Sequence, residues 1–204
     1  VDGERLRAIE TLADFPSVST RELVADDYIY QIKRLAHPRL HSPIFGMMAE
    51  RIVGLRELGK VLQDEASRLP AAAWLDLDRF ALPGVTRLDR YSYRITLRGK
   101  YPQFVYWLAM PFFAPVPREV DRFYAQPGMA EKNLTLDWYP VGTGPFMLTE
   151  NNPNSRMVLQ RNPNFHGETY PCDGEAADRA AGLLADCGKP LPFIERAVFS
   201  REKE

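Results

Sequence analysis

The sequence lacks the features of membrane-spanning and nucleic-acid-binding proteins. A membrane helix needs about 20 consecutive apolar residues, whereas the longest apolar stretch here, Phe104 to Val116, contains two prolines that disfavour a continuous helix. The formal net charge is only -1, from 26 basic and 27 acidic residues that are well mixed along the chain. Proteins that bind nucleic acids carry clustered positive charge. We therefore expect no nucleic-acid partner.

Signatures of catalysis are also missing. The sequence has no Gly-x-Ser-x-Gly, Ser-x-x-Lys or His-Glu-x-x-His string. The string from Gly142 to Phe146 has two glycines, but it has neither the Lys-Ser/Thr of a P-loop nor a third glycine, and Pro145 removes a backbone donor. We therefore predict a tight turn that leads into a strand, and we expect no enzyme activity, no catalytic residues and no cofactor.

Cysteine is scarce. Cys172 and Cys187 bracket a segment rich in Gly, Ala and Asp. A disulfide across this segment would stabilise the fold by roughly 3 kcal/mol, because it restricts the unfolded chain. Two unpaired thiols are the alternative, and the sequence leaves both possibilities open.

Histidines and paired aspartates give no convincing site. His37 and His41 have the spacing of two metal ligands on a helix, but Pro38 lies between them and ends the helix. We predict loop histidines that face solvent, and no metal site. Asp76 and Asp78 are predicted to be a solvated pair rather than an acid-base pair.

Helical periodicity dominates the first half of the chain. Residues 25–36 are predicted to form a short helix that stops near His37, with Asp26 and Asp27 in its first turn, where the helix dipole favours negative charge. Residues 45–64 form a longer amphipathic stretch with one apolar face. Residues 101–110 are predicted to form an aromatic-rich helix, and another helix begins at Pro117.

Strand patterns dominate the second half. Residues 91–97 alternate apolar and polar side chains, which predicts a half-buried strand. Residues 138–165 are predicted to form a hairpin around a turn rich in Asn and Pro, and residues 197–199 form a last short apolar run. This order of helices followed by antiparallel strands indicates an α+β fold rather than β-α-β alternation.

Aromatic residues make up 11% of the chain. We expect most of them to pack in the core, and the alternative is a surface on which a ligand stacks. The candidate ligand contacts are Phe112, Trp138, Tyr139 and Phe165.

Three strings together resemble the family 5 extracellular solute-binding proteins of peptide ABC importers. The first is residues 24–34, VADDYIYQIKR, which is similar to the family's "TADD" helix start. The second is residues 89–97, DRYSYRITL, which runs into YPQF at residues 101–104. The third and most specific pairs PVGTGPF at residues 140–146 with VLQRNPNF at residues 158–165.

The order and spacing of these strings match the family, as does a closing string at residues 192–199, PFIERAVF. The chain departs from the family at Val24, where Thr is usual and would cap the helix, in the insertion from Cys172 to Cys187, and at His166, where Trp is common.

The resemblance implies part of a two-lobed, periplasmic-binding-protein-like fold. Residues 1–136 would be the helical subdomain of the first lobe, and residues 137–204 its sheet subdomain near the hinge. The second lobe would be absent from this chain.

The implied function is capture of di- or oligopeptides in the periplasm, or outside the cell, and delivery to an ABC permease in the membrane, by a protein expected to be monomeric. Sugars, metal chelates and opines are alternative solutes. A hydrolase and a structural module are the rival classes.

Overall fold

A computed structural model describes residues 7–15, 19–70 and 73–201 of the chain. They divide into two compact units, unit 1 at Val1–Leu136 and unit 2 at Asp137–Glu204. Unit 1 is mainly helical and unit 2 contains antiparallel strands, so the α+β class is confirmed. Among the described residues, none of the helices combines the length and the apolar character that crossing a membrane would require.

The first helix, α1 (Ala25–Arg34), lies where the sequence predicts. Its N-cap residue, Val24, has no side-chain hydrogen bond to the helix, and Asp27 binds the start of the helix instead. The carboxylate of Asp27 accepts the backbone N–H of Val24 at 2.9 Å. Arg21 donates to both oxygens of Asp27, at 2.9 and 2.5 Å. Because Asp27 is buried, this pairing compensates the loss of water around its charge.

The amphipathic stretch at 45–64 is two helices, not one continuous element. Helix α2 (Phe45–Arg51) and helix α3 (Leu55–Arg68) are separated at Ile52–Gly54. Ile52 forms a β-bridge with Leu97, and Gly54 has a φ of 81°, a left-handed conformation that ends regular helix. The apolar periodicity continues through this break, which is why the sequence conceals it.

The rest of unit 1 consists of short elements. Strands β1 (Val85–Arg87) and β2 (Tyr93–Ile95) form an antiparallel pair. Helix α4 (Phe104–Leu108) is shorter than predicted, and helix α5 (Arg118–Tyr124) has Pro117 as its N-cap. Short 3-10 turns occur at Leu12–Asp14, Leu77–Arg79, Pro111–Phe113 and Ala130–Lys132.

The core of unit 1 joins α1, α2, α3 and the segments that follow them. Its largest fully buried side chains include Tyr30, Ile32, Met48, Ile52, Leu55, Leu62 and Leu77. Phe104 and Phe113 meet edge to face in the same cluster, with ring centroids 6.0 Å apart. Most of the apolar periodicity of α1 to α3 is therefore explained by packing.

Unit 2 is built on a three-stranded antiparallel sheet. The predicted hairpin is confirmed: β3 (Phe146–Asn152) pairs with β4 (Arg156–Arg161), with an irregularity between Leu148 and Glu150. The last strand, β7 (Arg196–Ser200), pairs with the other edge of β4.

The insertion between β4 and β7 is closed by a disulfide. Strands β5 (Glu168–Thr169) and β6 (Pro190–Leu191) pair at its base, and it contains helix α6 (Ala176–Ala180). Cys172 and Cys187 are bonded to each other, which decides between the two alternatives that the sequence left open.

Candidate functional site

The glycine-containing turn of unit 2 is fastened to the end of β4 by one buried amide side chain. Asn162 donates through Nδ2 to the carbonyl of Gly144 at 2.9 Å. Its backbone N–H donates to the carbonyl of Pro145 at 2.8 Å, and its Oδ1 accepts the N–H of Asn164 at 3.0 Å. These bonds explain physically why the strings at 140–146 and 158–165 occur together.

The turn itself leaves its backbone open to solvent. Gly142 and Gly144 are exposed, and a Cβ added at either would meet nothing within 4 Å. Neither has a positive φ. The turn is therefore a place where a ligand backbone could approach closely, without the donor arrangement of a phosphate loop.

Three of the four candidate aromatics flank this turn in unit 2. Trp138 and Tyr139 precede it and are half-buried, and the carbonyl of Trp138 accepts Nδ2 of Asn151 at 2.9 Å. Phe165 follows Asn162, is half-buried, and has its ring centroid 4.3 Å from that of His166.

The hairpin separates these aromatics into two groups. Asn151, which holds Trp138, lies near the β3–β4 turn, whereas Asn162, which holds the segment of Phe165, lies at the other end of the hairpin. Five residues of strand separate the two ends, which corresponds to roughly 15 Å. A ligand that contacts both ends would therefore be extended rather than compact.

Phe112 belongs to unit 1 and packs at the edge of its core. It is half-buried in the 3-10 turn at Pro111–Phe113, and its carbonyl accepts Nε2 of Gln31 at 2.7 Å. The ring contributes to core packing on one side. The four candidate contacts remain predictions.

The acidic pairs hold structure together. Asp76 is half-buried, caps the turn at Leu77–Arg79, and binds Arg118 at 2.9 and 2.5 Å. Arg118 also lies 3.2 Å from Asp78, so the prediction of a solvated pair is wrong for Asp76. The hydrogen bonds from Arg118 lower the pKa of Asp76, which makes a role as a proton donor near neutral pH unfavourable.

A second acidic residue, Asp121, is the centre of a polar network in unit 1 that the sequence did not indicate. Its carboxylate accepts the Tyr30 hydroxyl at 2.8 Å, the Trp74 indole N–H at 2.9 Å and Nε of Arg34 at 2.9 Å. Burial, followed by the charge of Asp121, raises the pKa of Tyr30, so its hydroxyl stays a donor.

The prediction for His37 is wrong, since its side chain is half-buried rather than facing solvent. Its Nδ1 accepts the backbone N–H of Arg39 at 3.2 Å, and burial lowers its pKa. His41 is exposed. Within the described ranges, no group of three or more His, Cys, Asp or Glu residues is placed to hold a metal ion.

Comparison with known families identifies one match over most of the chain. Residues 19–181 match the family model described as "Bacterial extracellular solute-binding proteins, family 5 Middle". The match includes α1, the β3–β4 hairpin and the turn that Asn162 fastens.

Two curated proteins are similar to the chain in sequence. The periplasmic oligopeptide-binding protein OppA of Salmonella typhimurium is 27% identical over 143 residues, which covers 70% of this chain and 23% of that protein. The nickel-binding periplasmic protein of Escherichia coli is 34% identical over 98 residues, covering 47% of this chain and 17% of that protein. The chain therefore spans about a quarter or less of the length of these relatives.

Solved structures show the same fold. A periplasmic oligopeptide-binding protein (OppAIV) from Borrelia burgdorferi matches with a TM-score of 0.52 at 22% identity, over 71% of this chain and 25% of that chain. The murein tripeptide binding protein MppA of Escherichia coli matches with a TM-score of 0.51 at 20% identity, over 88% of this chain and 27% of that chain.

Proposed function

Because the chain belongs to family 5 of the bacterial extracellular solute-binding proteins, we propose that it is part of the substrate-binding component of an ABC importer that captures di- or oligopeptides. The observation that carries this proposal is the family match over residues 19–181. The oligopeptide-binding relative supports peptides as the solute, since it is similar over 70% of the chain.

The proposal also assigns each part of the chain to a subdomain of the two-lobed protein. Residues 1–136 are the helical subdomain of the first lobe, and residues 137–204 are the sheet subdomain that adjoins the hinge. The second lobe lies outside this chain, and closure of the two lobes around the solute is the functional motion.

Phe112, Trp138, Tyr139 and Phe165 are the proposed ligand contacts. Trp138 and Phe165 lie at opposite ends of the hairpin, and an extended peptide is long enough to contact both. Different side chains of such a peptide would then contact the two aromatic residues. The open backbone at Gly142 and Gly144 lies between them along the chain and would accept a close peptide approach.

The proposed compartment is the periplasm, and the proposed partner is an ABC permease in the membrane, contacted by a monomer. The Cys172–Cys187 disulfide supports this location, because disulfides persist in oxidising compartments. We propose binding rather than catalysis, since the family that matches residues 19–181 is one of solute-binding proteins.

A nickel ion or a metal chelate is the second candidate solute. It is favoured by the nickel-binding relative, which has the higher identity of the two curated proteins although over a shorter region. The solute therefore has to be identified by direct measurement on the whole protein.

The test is thermal unfolding of the full-length protein with di- to oligopeptides, Ni²⁺, nickel chelates and sugars. A ligand present at 100 times its Kd stabilises the native state by about 2.7 kcal/mol, so a peptide solute produces a clear rise in Tm. A rise with nickel or its chelates alone identifies the second candidate, and no rise with any solute contradicts the binding function.

Variants then test the contacts. Trp138→Ala and Phe165→Ala should each weaken peptide binding about tenfold or more, because a stacked aromatic contact is lost. Tyr106→Ala is the matched control, since Tyr106 is 73% exposed on α4 in unit 1. Equal affinity in all three variants would rule out the two assigned contacts while leaving the solute class intact.

A further inference from the structure

The end of unit 1 contains a sequence motif that the proposed transport function does not use. Asn133, Leu134 and Thr135 form an Asn-x-Thr string whose middle residue is not proline. None of the other asparagines in the chain is followed two positions later by Ser or Thr. In exported proteins this string is the acceptor for N-linked oligosaccharides, and it then lies in a surface loop.

The structure places the asparagine of this motif on the surface. Asn133 is exposed and is the C-cap of the 3-10 turn at Ala130–Lys132. Its φ of 57° is a left-handed conformation, which asparagine adopts more readily than most other residues. Its backbone N–H donates to the carbonyl of Ala130 at 3.0 Å. An oligosaccharide on this residue would therefore extend from a tight turn into solvent.

The neighbours of Asn133 hold the turn against unit 1. Met129 and Leu134 each have 0% of their surface exposed, and the N–H of Leu134 donates to the carbonyl of Met129 at 2.9 Å. A group attached to Asn133 would leave these buried side chains in place. The exposed position of Asn133 is thus compatible with a folded core that carries an oligosaccharide.

The other residues of the motif indicate when the oligosaccharide is added. Thr135 is half-buried and Leu134 is buried. An enzyme that recognises the motif has to contact the threonine hydroxyl as well as the asparagine amide, and the folded turn presents only part of this string. Transfer is therefore favoured on the exported chain before unit 1 folds.

The surroundings of the motif suit an enzyme of an oxidising, extracytoplasmic compartment. The Cys172–Cys187 disulfide supports such a location. Glu131 stands two residues before Asn133 and is exposed. The site therefore also satisfies an enzyme that requires a negative charge at that position.

We propose that Asn133 is the acceptor of an N-linked oligosaccharide, which is added before unit 1 folds. The donor is an oligosaccharide joined through pyrophosphate to a membrane lipid. Nδ2 of Asn133 forms a bond to the anomeric carbon of the first sugar, and the bond from that carbon to the pyrophosphate oxygen breaks. Nδ2 loses one proton to a base of the enzyme, and the lipid pyrophosphate leaves with the bonding electron pair.

This proposal rests on the proposed export of the protein but is independent of the solute that it binds. The two are separated experimentally, because solute binding is measured by thermal unfolding and oligosaccharide transfer by mass. Adding an export leader to the full-length protein ensures that transfer is tested whatever the outcome for the proposed compartment.

The test is expression of that protein in bacteria that contain a periplasmic oligosaccharyltransferase and its lipid-linked oligosaccharide. A known acceptor protein in the same cells verifies that the enzyme is active. The intact mass of the protein from the periplasmic fraction should show the addition of one oligosaccharide. Fragment spectra should place it on the peptide that contains Asn133.

Three variants and a control examine the motif. Asn133→Asp removes the acceptor amide but keeps a residue that tolerates the left-handed conformation, and it should abolish the addition. Thr135→Ala should also abolish it, whereas Thr135→Ser, which keeps the hydroxyl, should retain it. Asn154→Asp is the control, because Asn154 is exposed in the turn between β3 and β4 and is followed two positions later by Arg156. This control should carry the oligosaccharide as the wild type does.

The wild-type protein alone can overturn the proposal, so the test does not depend on how well the variants fold. An unmodified protein in the periplasm, beside a modified reference acceptor, overturns it, and so does an oligosaccharide attached to any residue other than Asn133. The order of events has its own measurement. Folded, unmodified protein that is mixed with purified enzyme and donor should gain little oligosaccharide, and modification as complete as that in cells overturns transfer before folding.

Discussion

At the scale of single residues, the burial of His37 in unit 1 makes the stability of the fold depend on pH. His37 is half-buried, and desolvation lowers its pKa below the ordinary value of 6.5. The nearby charge of Asp121 opposes this shift, whereas Arg34 and Arg39 add to it. The folded state therefore resists protonation of His37 more than the unfolded state does.

We predict that His37 makes the protein less stable as the pH falls below about 6.5. Above that pH the ring is neutral in both states, and below it the unfolded state gains a proton that the folded state does not readily accept. His37→Gln should reduce the loss of unfolding free energy between pH 7 and about pH 5. Denaturant unfolding of the wild type and the variant at a series of pH values measures this loss of unfolding free energy.

Carboxylates that titrate at lower pH are common to both proteins, so they cancel in the comparison. If the wild type and His37→Gln lose stability in parallel over this range, the burial of His37 has no thermodynamic effect. The pKa of His37 would then be the same in the folded and unfolded states.

Sequence reasoning at this scale found the apolar residues but missed the polar ones. Asp121 and Asn162 have no local pattern, because their partners lie far away in the chain: Asp121 is 91 residues from Tyr30, and Asn162 is 18 residues from Gly144. Hydrophobic periodicity reports burial of a face, whereas a single buried carboxylate or amide leaves no periodic signal. His37 was misplaced for the same reason.

At the scale of elements, the contact between α2 and α3 depends on a glycine. A Cβ at Gly59 would lie 2.4 Å from Cζ of Phe45, so the aromatic ring of α2 occupies the space that a side chain on α3 would need. This explains why a residue that weakens helices stands in the middle of a 14-residue helix.

We predict that Gly59→Ala destabilises the protein although alanine is the better helix former. Alanine contributes about 1 kcal/mol of helix propensity, but displacing the Phe45 ring from its packed position typically costs about 1–3 kcal/mol. The net loss should be about 1 kcal/mol in urea unfolding.

Gly46→Ala is the matched control, because Gly46 lies in α2 and an added Cβ there meets nothing within 4 Å. That variant should gain up to about 1 kcal/mol. A gain at both positions would mean that Phe45 moves freely, and the packing between α2 and α3 would then be looser than described.

The sequence predicts an element well where its structure depends on one continuous segment of the chain. It predicts an element poorly where the structure depends on pairing between two distant segments. Helix α1 and the β3–β4 hairpin follow from local periodicity and turn residues, and both are confirmed. The break at Ile52–Gly54 depends on pairing with Leu97, and strand β1 depends on β2. Such pairings between distant segments override local propensity.

At the scale of the whole molecule, the two units differ in the core that each one possesses. Nearly all the buried apolar side chains belong to unit 1. In the described part of unit 2, Val158 is the one apolar side chain that is buried, with 3% of its surface exposed. Large apolar side chains of unit 2 remain exposed, among them Val141, Phe193, Ile194, Val198 and Phe199.

A sheet of three strands needs an apolar face that is covered by another layer to be stable in water. The Cys172–Cys187 disulfide closes the loop between two cysteines 15 residues apart, so it restricts the insertion but supplies no core. We infer that unit 1 has enough buried surface to fold alone and that unit 2 does not.

We therefore predict that residues 1–136 unfold in one cooperative thermal transition when produced alone, and that residues 137–204 show none. Circular dichroism and calorimetry measure both fragments, with the disulfide of the second fragment kept oxidised so that its state matches that of the whole chain. A cooperative transition in residues 137–204 would mean that the hairpin and the disulfide are sufficient. In a full-length family 5 protein, whose other segments are available to cover the β3-β4-β7 sheet, the same residues should be protected from hydrogen exchange, because packing against them supplies the missing layer.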